Sequence, residues 1–262
     1  MSISNNQLAN KKVGFFVTCL ANTMRPSVGF ASLKLLEEAG CKVEVPSAQS
    51  CCGQPAFNSG DDDGTRKVAK QFIREFESYD YIVVPSGSCA GMVRKNFTEL
   101  FSDNEEWQLR AEKTSQKTHE LLSFLVDICN FEPQNIELDG TYTYHDSCSG
   151  LRTLNVYEQP RKMLANVKGL SHRPLNGNTE CCGFGGTFCV KYSDISNEIV
   201  EEKTDNILKT EADFLLGGDL GCLMNMSGKL NRNNQTQTTA LHTAEVLAGM
   251  APEILRKKNE SQ

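Results

Sequence analysis

The sequence predicts an α/β protein built from two duplicated halves, and three observations carry that expectation. Short apolar runs alternate with longer segments whose apolar residues recur every three or four positions, the pattern of parallel strands joined by helical crossovers. Three cysteine-bearing segments occur twice in the same order. The first set is Phe15-Phe16-Val17-Thr18-Cys19, Cys51-Cys52-Gly53 and Val83-Val84-Pro85-Ser86-Gly87-Ser88-Cys89. The second is Tyr144-His145-Asp146-Ser147-Cys148, Cys181-Cys182-Gly183 and Leu215-Leu216-Gly217-Gly218-Asp219-Leu220-Gly221-Cys222. Finally, the offsets between copies are nearly constant (148 − 19 = 129, 181 − 51 = 130, 222 − 89 = 133). A half of roughly 130 residues is too long a period for a solenoid.

Each element follows from its residues. Val13–Val17 reads as a strand. A helix is expected over Ser27–Ala39, ended by Gly40, then a strand over Cys41–Val45. Val68, Phe72, Ile73 and Phe76 form a helical stripe. Tyr81–Val84 is a third strand, and Met92, Val93, Phe97 and Phe101 mark the helix after it. A long helix around Leu121, Leu122, Leu125 and Ile128 closes the half. In the second half, Thr141–Tyr144 is a strand and Tyr157–Val167 a helix. Leu170–Leu175, which contains Pro174, is a weaker strand. Ile195, Ile199, Val200 and Ile207 predict a helix, Ala212–Leu216 a strand, Thr238–Leu241 a last strand and Ala244–Leu247 a helix. The expectation is two Rossmann-like halves with parallel sheets, over 13–130 and 141–250. Polar tails are expected at 1–12 and 251–262, and a linker at 130–140.

Composition narrows the function classes. The chain has 262 residues, 39% hydrophobic and 23% charged, and a net charge of −6. That mix supports a packed core. No block of Lys and Arg offers a surface for nucleic acid or an anionic membrane. The longest apolar stretch, Val13–Ala21, is too short to span a bilayer, so no membrane insertion is expected. Lys11-Lys12 before it imitates a signal peptide, but no small-residue cleavage site follows. A cytoplasmic location is the expectation.

Eleven cysteines stand out. In a reducing compartment they stay thiols, and at this frequency they suggest metal or redox chemistry. The predicted layout places Cys19, Cys89, Cys148 and Cys222 just past strand ends and the Cys-Cys pairs in loops. The carboxyl ends of strands in open α/β sheets are the usual ligand crevice. No Cys-x-x-Cys occurs, which argues against a zinc ribbon, a thioredoxin-type site and a ferredoxin run. Adjacent cysteines fit a multi-iron cluster more readily than one Zn²⁺, with zinc as the alternative.

Other residues carry two readings. Cys41 and Cys129 fall outside the repeat and read as core thiols. Cys189 reads as a core thiol, a spare ligand or a redox thiol. Gly183-Phe184-Gly185-Gly186 lacks the third glycine and the leading strand of a dinucleotide loop. Gly183, Gly185 and Gly186, with Gly53, instead suit close approach of backbone to a cluster or substrate, with N–H groups free to donate to sulfur. His145 is either a strand-end histidine bonded to backbone or a proton carrier and outer partner beside the metal. Arg152 and Lys191 are either surface cations or holders of a small carboxylate.

The ordered Cys…Cys-Cys-Gly…Cys pattern resembles the cysteine-rich CCG domain family. The matching stretches include Ser50-Cys51-Cys52-Gly53-Gln54-Pro55-Ala56-Phe57-Asn58-Ser59-Gly60, Cys181-Cys182-Gly183-Phe184-Gly185-Gly186-Thr187-Phe188 and His242-Thr243-Ala244-Glu245-Val246-Leu247. That family includes the CCG-bearing component of heterodisulfide reductase, the iron–sulfur component of glycolate oxidase and, most similar here, lactate-utilisation proteins. The resemblance implies Cys19, Cys51, Cys52 and Cys89 as ligands of one metal site and Cys148, Cys181, Cys182 and Cys222 of a second. It implies [4Fe–4S]-type clusters, as many as two. The implied role is an electron-transfer subunit of a multi-protein system oxidising L-lactate, a small 2-hydroxy acid, to pyruvate. The implied partners are two further lactate-utilisation subunits, one with ferredoxin-type clusters. Glycolate or a disulfide is the alternative substrate, and a zinc-stabilised binding module the alternative without redox chemistry. One departure stands out. The five-cysteine form of the motif ends in Cys-x-x-Cys, whereas Ser86 and Asp219 fill the earlier position here. Each site therefore has four thiols, which leaves non-cubane, conventional [4Fe–4S] and zinc options open.

Overall fold

The computed structural model describes residues 10–260. The predicted α/β class holds: two four-stranded, all-parallel sheets carry the same strand order. The first contains β1 (Lys12–Phe15), β2 (Lys42–Glu44), β3 (Tyr81–Val84) and β4 (Thr118–Glu120), ordered β2-β1-β3-β4. The second contains β5 (Glu137–His145), β6 (Lys168–His172), β7 (Phe214–Gly217) and β8 (Thr239–His242), ordered β6-β5-β7-β8. Registers correspond. Val13 pairs with Val43 on one side and Tyr81 on the other, as Tyr142 pairs with His172 and Phe214.

Sequence order jumps between the middle strands of each sheet. The crevice beyond their carboxyl ends is where open sheets of this kind take ligands. Cys19 opens the helix after β1, and Cys89 lies in the helix after β3. Cys148 and Cys222 stand in the equivalent helices after β5 and β7.

Helix formation follows local chemistry. In Asp62–Phe76, Thr65, Ala69, Phe72, Ile73 and Phe76 fall on one buried face, and the Asp61 side chain accepts the Gly64 N–H as N-cap. Pro26 starts the Pro26–Glu38 helix, where its missing N–H costs nothing. One buried cluster runs through both halves, joining Val13, Phe15, Leu35 and Leu121 to Tyr142, Leu216, Leu241 and Leu247. The halves are also tied by charge. Arg25 grips the buried carboxylate of Glu245 through Nε and Nη2, each at 2.8 Å, and Ser27 Oγ donates to the same carboxylate at 2.6 Å.

Several expected elements differ. The segment 130–140 is not all linker, because β5 begins at Glu137. The long helix around Leu121–Ile128 is a short turn, Leu121–Ser123, running into a wide π-helical segment, Phe124–Ile128. β4 and the Glu105–Gln116 helix had no strong apolar pattern. β4 is Thr118-His119-Glu120, polar residues that a buried edge position satisfies through side-chain bonds: Thr118 Oγ1 donates to the Thr114 carbonyl at 2.7 Å. Of the expected tails, residues 1–9 and 261–262 lie outside the described residues. Lys12 already belongs to β1, and Ala251–Glu260 is helical.

Candidate functional site

The four repeat thiols of the first half meet in one place. Cys19, Cys51, Cys52 and Cys89 all line a cavity of about 170 Å³. Cys19 donates its S–H to Cys51 Sγ at 3.9 Å, and the Gly53 N–H donates to the same sulfur at 3.3 Å. Bonds from Cys19 and then Cys52 hold the Cys51 thiol far below its ordinary value, against the opposing cost of burial. Cys52, bonded to Cys51 and Cys89 and fully enclosed, is raised well above it. The Cys51 sulfur therefore accepts both the Cys19 S–H and the Gly53 N–H. Thr18, just before Cys19, has φ +73 and ψ 148, a conformation that L side chains rarely adopt.

The second half repeats the loop. The Gly183 N–H donates to Cys181 Sγ at 3.3 Å, as Gly53 does to Cys51. Both glycines have left-handed φ, +84 at Gly53 and +79 at Gly183, which turns the loop so that N–H and sulfur converge. Asn225 Nδ2 donates to the Cys182 carbonyl and Ser196 Oγ to the Gly183 carbonyl, each at 2.8 Å. Here the tightest group is not four cysteines. His145, Cys182 and Cys222, all buried, offer ligand atoms within 4.8 Å of one another. Cys181 is exposed, and its bond with Cys182, then burial, pushes its thiol up. Cys148 is half-buried. Burial, then Lys203, pushes His145 down to about 3, so its ring is neutral at neutral pH. Lys203 is itself 1% exposed, donates to the Gly177 carbonyl, and places its ammonium near Cys182, Cys222 and Cys181.

The two sites share a boundary. Phe184, Thr187, Val190 and Leu220 of the second half complete the cavity of the first quartet. Asn58 Nδ2 donates to the Gly185 carbonyl at 3.1 Å, and Ser59 and Thr187 hydroxyls meet at 3.2 Å, joining the two Cys-Cys-Gly loops.

Comparison with known proteins fits this duplicated geometry. The cysteine-rich CCG domain model matches twice, over residues 13–94 and 142–227. The chain belongs to the CCG family. Lactate utilization protein A of Geobacillus sp. (strain WCH70) is 46% identical over 236 residues, covering 90% of this chain and 98% of that protein. The protein of the same name from Bacillus cytotoxicus is 45% identical over equal coverage, 90% and 98%. Among solved structures, a hypothetical protein from Helicobacter pylori shares the fold, with TM-score 0.58 and 11% identity. It covers 92% of this chain, which spans 49% of that one.

The donors of this CCG chain suit a metal. A tetrahedron with metal–sulfur bonds near 2.3 Å has an edge of about 3.8 Å. The 3.9 Å between Cys19 and Cys51 lets both thiolates take one metal, whether Zn²⁺ or an iron of a cluster. Soft thiolates favour such metals.

The remaining residues singled out by sequence are dispersed. Lys191 and Cys181 share a shallow pocket with Phe188 and Tyr192. Arg152 is exposed and reaches the Thr179 carbonyl at 3.4 Å. Gly186 lies on the first-quartet cavity, and Gly185 accepts from Asn58. Cys189 donates to the Gly186 carbonyl at 3.4 Å. Cys41 and Cys129 are buried with their sulfurs 3.8 Å apart. Lys203 was missed, although a signal existed: it falls between Val200 and Ile207 on the buried stripe of the Ser193–Lys209 helix.

Proposed function

We propose that this chain is an iron–sulfur electron-transfer subunit of a multi-protein system that oxidises L-lactate to pyruvate. The convergence of Cys19, Cys51, Cys52 and Cys89 on one cavity is the observation that carries the reading. The names of the relatives, lactate utilization protein A, supply the substrate. Under this reading the first quartet holds one cluster, and Cys148, Cys181, Cys182 and Cys222 serve a second metal site. A bound cluster would supply one-electron chemistry. Gly53 and Gly183 donate N–H bonds to the ligand sulfurs, which stabilises added negative charge. Phe184 and Leu220 give the first cavity apolar walls. Two further lactate-utilisation subunits, one with ferredoxin-type clusters, are the proposed partners, and the 2-hydroxy acid binds within that complex. Among the described residues no helix is long and apolar enough to cross a membrane.

Iron, acid-labile sulfide and zinc analysis of anaerobically purified protein tests the proposal. Brown protein containing iron and sulfide is expected, with each half's share lost in Cys51→Ser or Cys182→Ser. The chain alone should not turn over L-lactate, while the mixed subunits should reduce an acceptor in a lactate-dependent way. Colourless protein with stoichiometric zinc, from iron-replete cells, would favour a second reading. That reading is a zinc-stabilised module, with which the Cys19–Cys51 spacing is equally compatible.

A further inference from the structure

The two halves are unequal at one position. His145 stands three residues before Cys148, and Phe16 stands three residues before Cys19. Phe16 is fully buried in an apolar cluster with Cys52, Cys89, Phe72 and Phe76, as an aromatic hydrocarbon should be. The imidazole of His145 occupies the equivalent interior position at 1% exposure, and neither ring nitrogen makes a well-aligned hydrogen bond. Leaving a polar ring buried and unsatisfied is costly, so such groups ordinarily have a partner. The partners on hand are two sulfurs: one ring nitrogen, Cys182 Sγ and Cys222 Sγ lie within 4.8 Å of one another, all buried. The Asn178 backbone carbonyl is within reach of the ring and can accept its N–H. Ligating histidines characteristically use such an outer acceptor to fix the tautomer.

We propose that His145 is a direct metal ligand, which makes the second site a mixed imidazole–thiolate centre with Cys182 and Cys222, distinct from the all-thiolate first site. The inference rests on the proposed function only in taking the second half to bind metal. Its ligand class is a transition metal of borderline softness, Zn²⁺ or iron, for which nitrogen and sulfur donors are both suitable. Cys181 is bonded to Cys182, so a further thiolate is available to complete the shell. The Lys203 ammonium beside these sulfurs offsets part of the thiolate charge. An imidazole in place of one thiolate makes the centre less negative, and in iron–sulfur sites that substitution raises the potential. Two unequal sites would give electrons a preferred direction within one chain.

The test uses the full-length metal-loaded protein. If the metal is zinc, X-ray absorption should resolve a nitrogen shell at about 2.0–2.1 Å besides sulfur at about 2.3 Å. If it is iron, pulsed EPR of the reduced protein should show a nitrogen coupling that changes when histidine is labelled with ¹⁵N. His145→Phe, which copies Phe16, should abolish that signal and weaken second-site metal binding more than ~100-fold, beyond the 10–100-fold typical of an outer partner. Should His145→Phe fail to fold, His145→Cys serves instead. It should keep the metal and lose the nitrogen signal. Bound metal with an all-sulfur shell in the unmodified protein, or a nitrogen signal that survives either substitution, would overturn the inference while sparing the metal-binding reading. Absence of metal from the second half of the unmodified protein would overturn both.

Discussion

Ser86 Oγ donates a hydrogen bond to Asp219 Oδ2 at 3.1 Å, joining the two residues that stand three positions before Cys89 and Cys222. These are the positions where the five-cysteine form of the motif carries a further thiol. Here each residue is instead the N-cap of the helix that presents the cysteine. Ser86 accepts the Cys89 N–H at 3.3 Å and Asp219 the Gly221 N–H at 3.2 Å. Asp219 also crosses to the other half to accept the Ser88 N–H at 2.8 Å. One buried carboxylate therefore orients both cysteine-bearing helices.

Asp219→Ala should consequently cost about 2–4 kcal/mol, the sum of a lost cap and of buried donors left unpaired. Asp219→Asn, which keeps an acceptor oxygen, should cost less. Urea denaturation of the three proteins measures the difference, and equal stability of wild type and Asp219→Ala would refute the role.

The two loop glycines should respond unequally to alanine. At Gly53 an added Cβ would meet nothing closer than 3.4 Å, so only the left-handed backbone is penalised, by about 1–2 kcal/mol. At Gly183 the Cβ would come 2.8 Å from the Ser196 carbonyl oxygen, adding about 1–3 kcal/mol of overpacking. Gly183→Ala should therefore be the less stable variant in denaturant and lose metal from its half more readily.

Glu120 predicts a pH dependence. Burial first, with Asp219 and Asp127 adding repulsion, pushes its carboxyl from 4.5 up to about 8, against the Ser123 and Leu122 N–H bonds that favour the charge. Between those values the folded chain keeps a proton that the unfolded chain releases. This contribution is intact below pH 4.5 and is lost as pH rises toward 8, by up to about 4–5 kcal/mol. Glu120→Gln should flatten that slope, and unfolding free energies from pH 5 to 8 for both proteins provide the comparison.

Cys41 and Cys129 separate packing from ligation. Their sulfurs touch each other at 3.8 Å in the shared core and line neither cysteine site. Cys41→Ala should leave iron and zinc content unchanged and cost about 1 kcal/mol. A drop in bound metal would show that these thiols contribute to a centre after all.

The sequence by itself determined the duplication, the α/β class and the middle strands of each sheet, because apolar periodicity and cysteine order are local properties of the chain. Tyr81–Val84 needed only its own side chains to read as a buried strand. The polar strand Thr118–Glu120 did not, because it is held by the register Ile82–Thr118 and by Glu120 accepting the Leu122 and Ser123 N–H groups. Cys51-Cys52-Gly53 was legible as a tight turn carrying two thiols, since a glycine beside paired cysteines is a local signature. Tertiary structure alone decided what surrounds it. Ser86 and Asp219 lie 133 residues apart (219 − 86), and Arg25 and Glu245 are 220 apart (245 − 25), so no spacing rule could pair them. The inequality of the sites had the same origin. Phe16 and His145 occupy matching places in the repeat, yet only the packed interior shows the first as an apolar ring packed among Phe72 and Phe76 and the second as a buried polar ring facing two sulfurs. Burial converts an ordinary residue type into a demand for a specific partner, and burial is set by the whole chain.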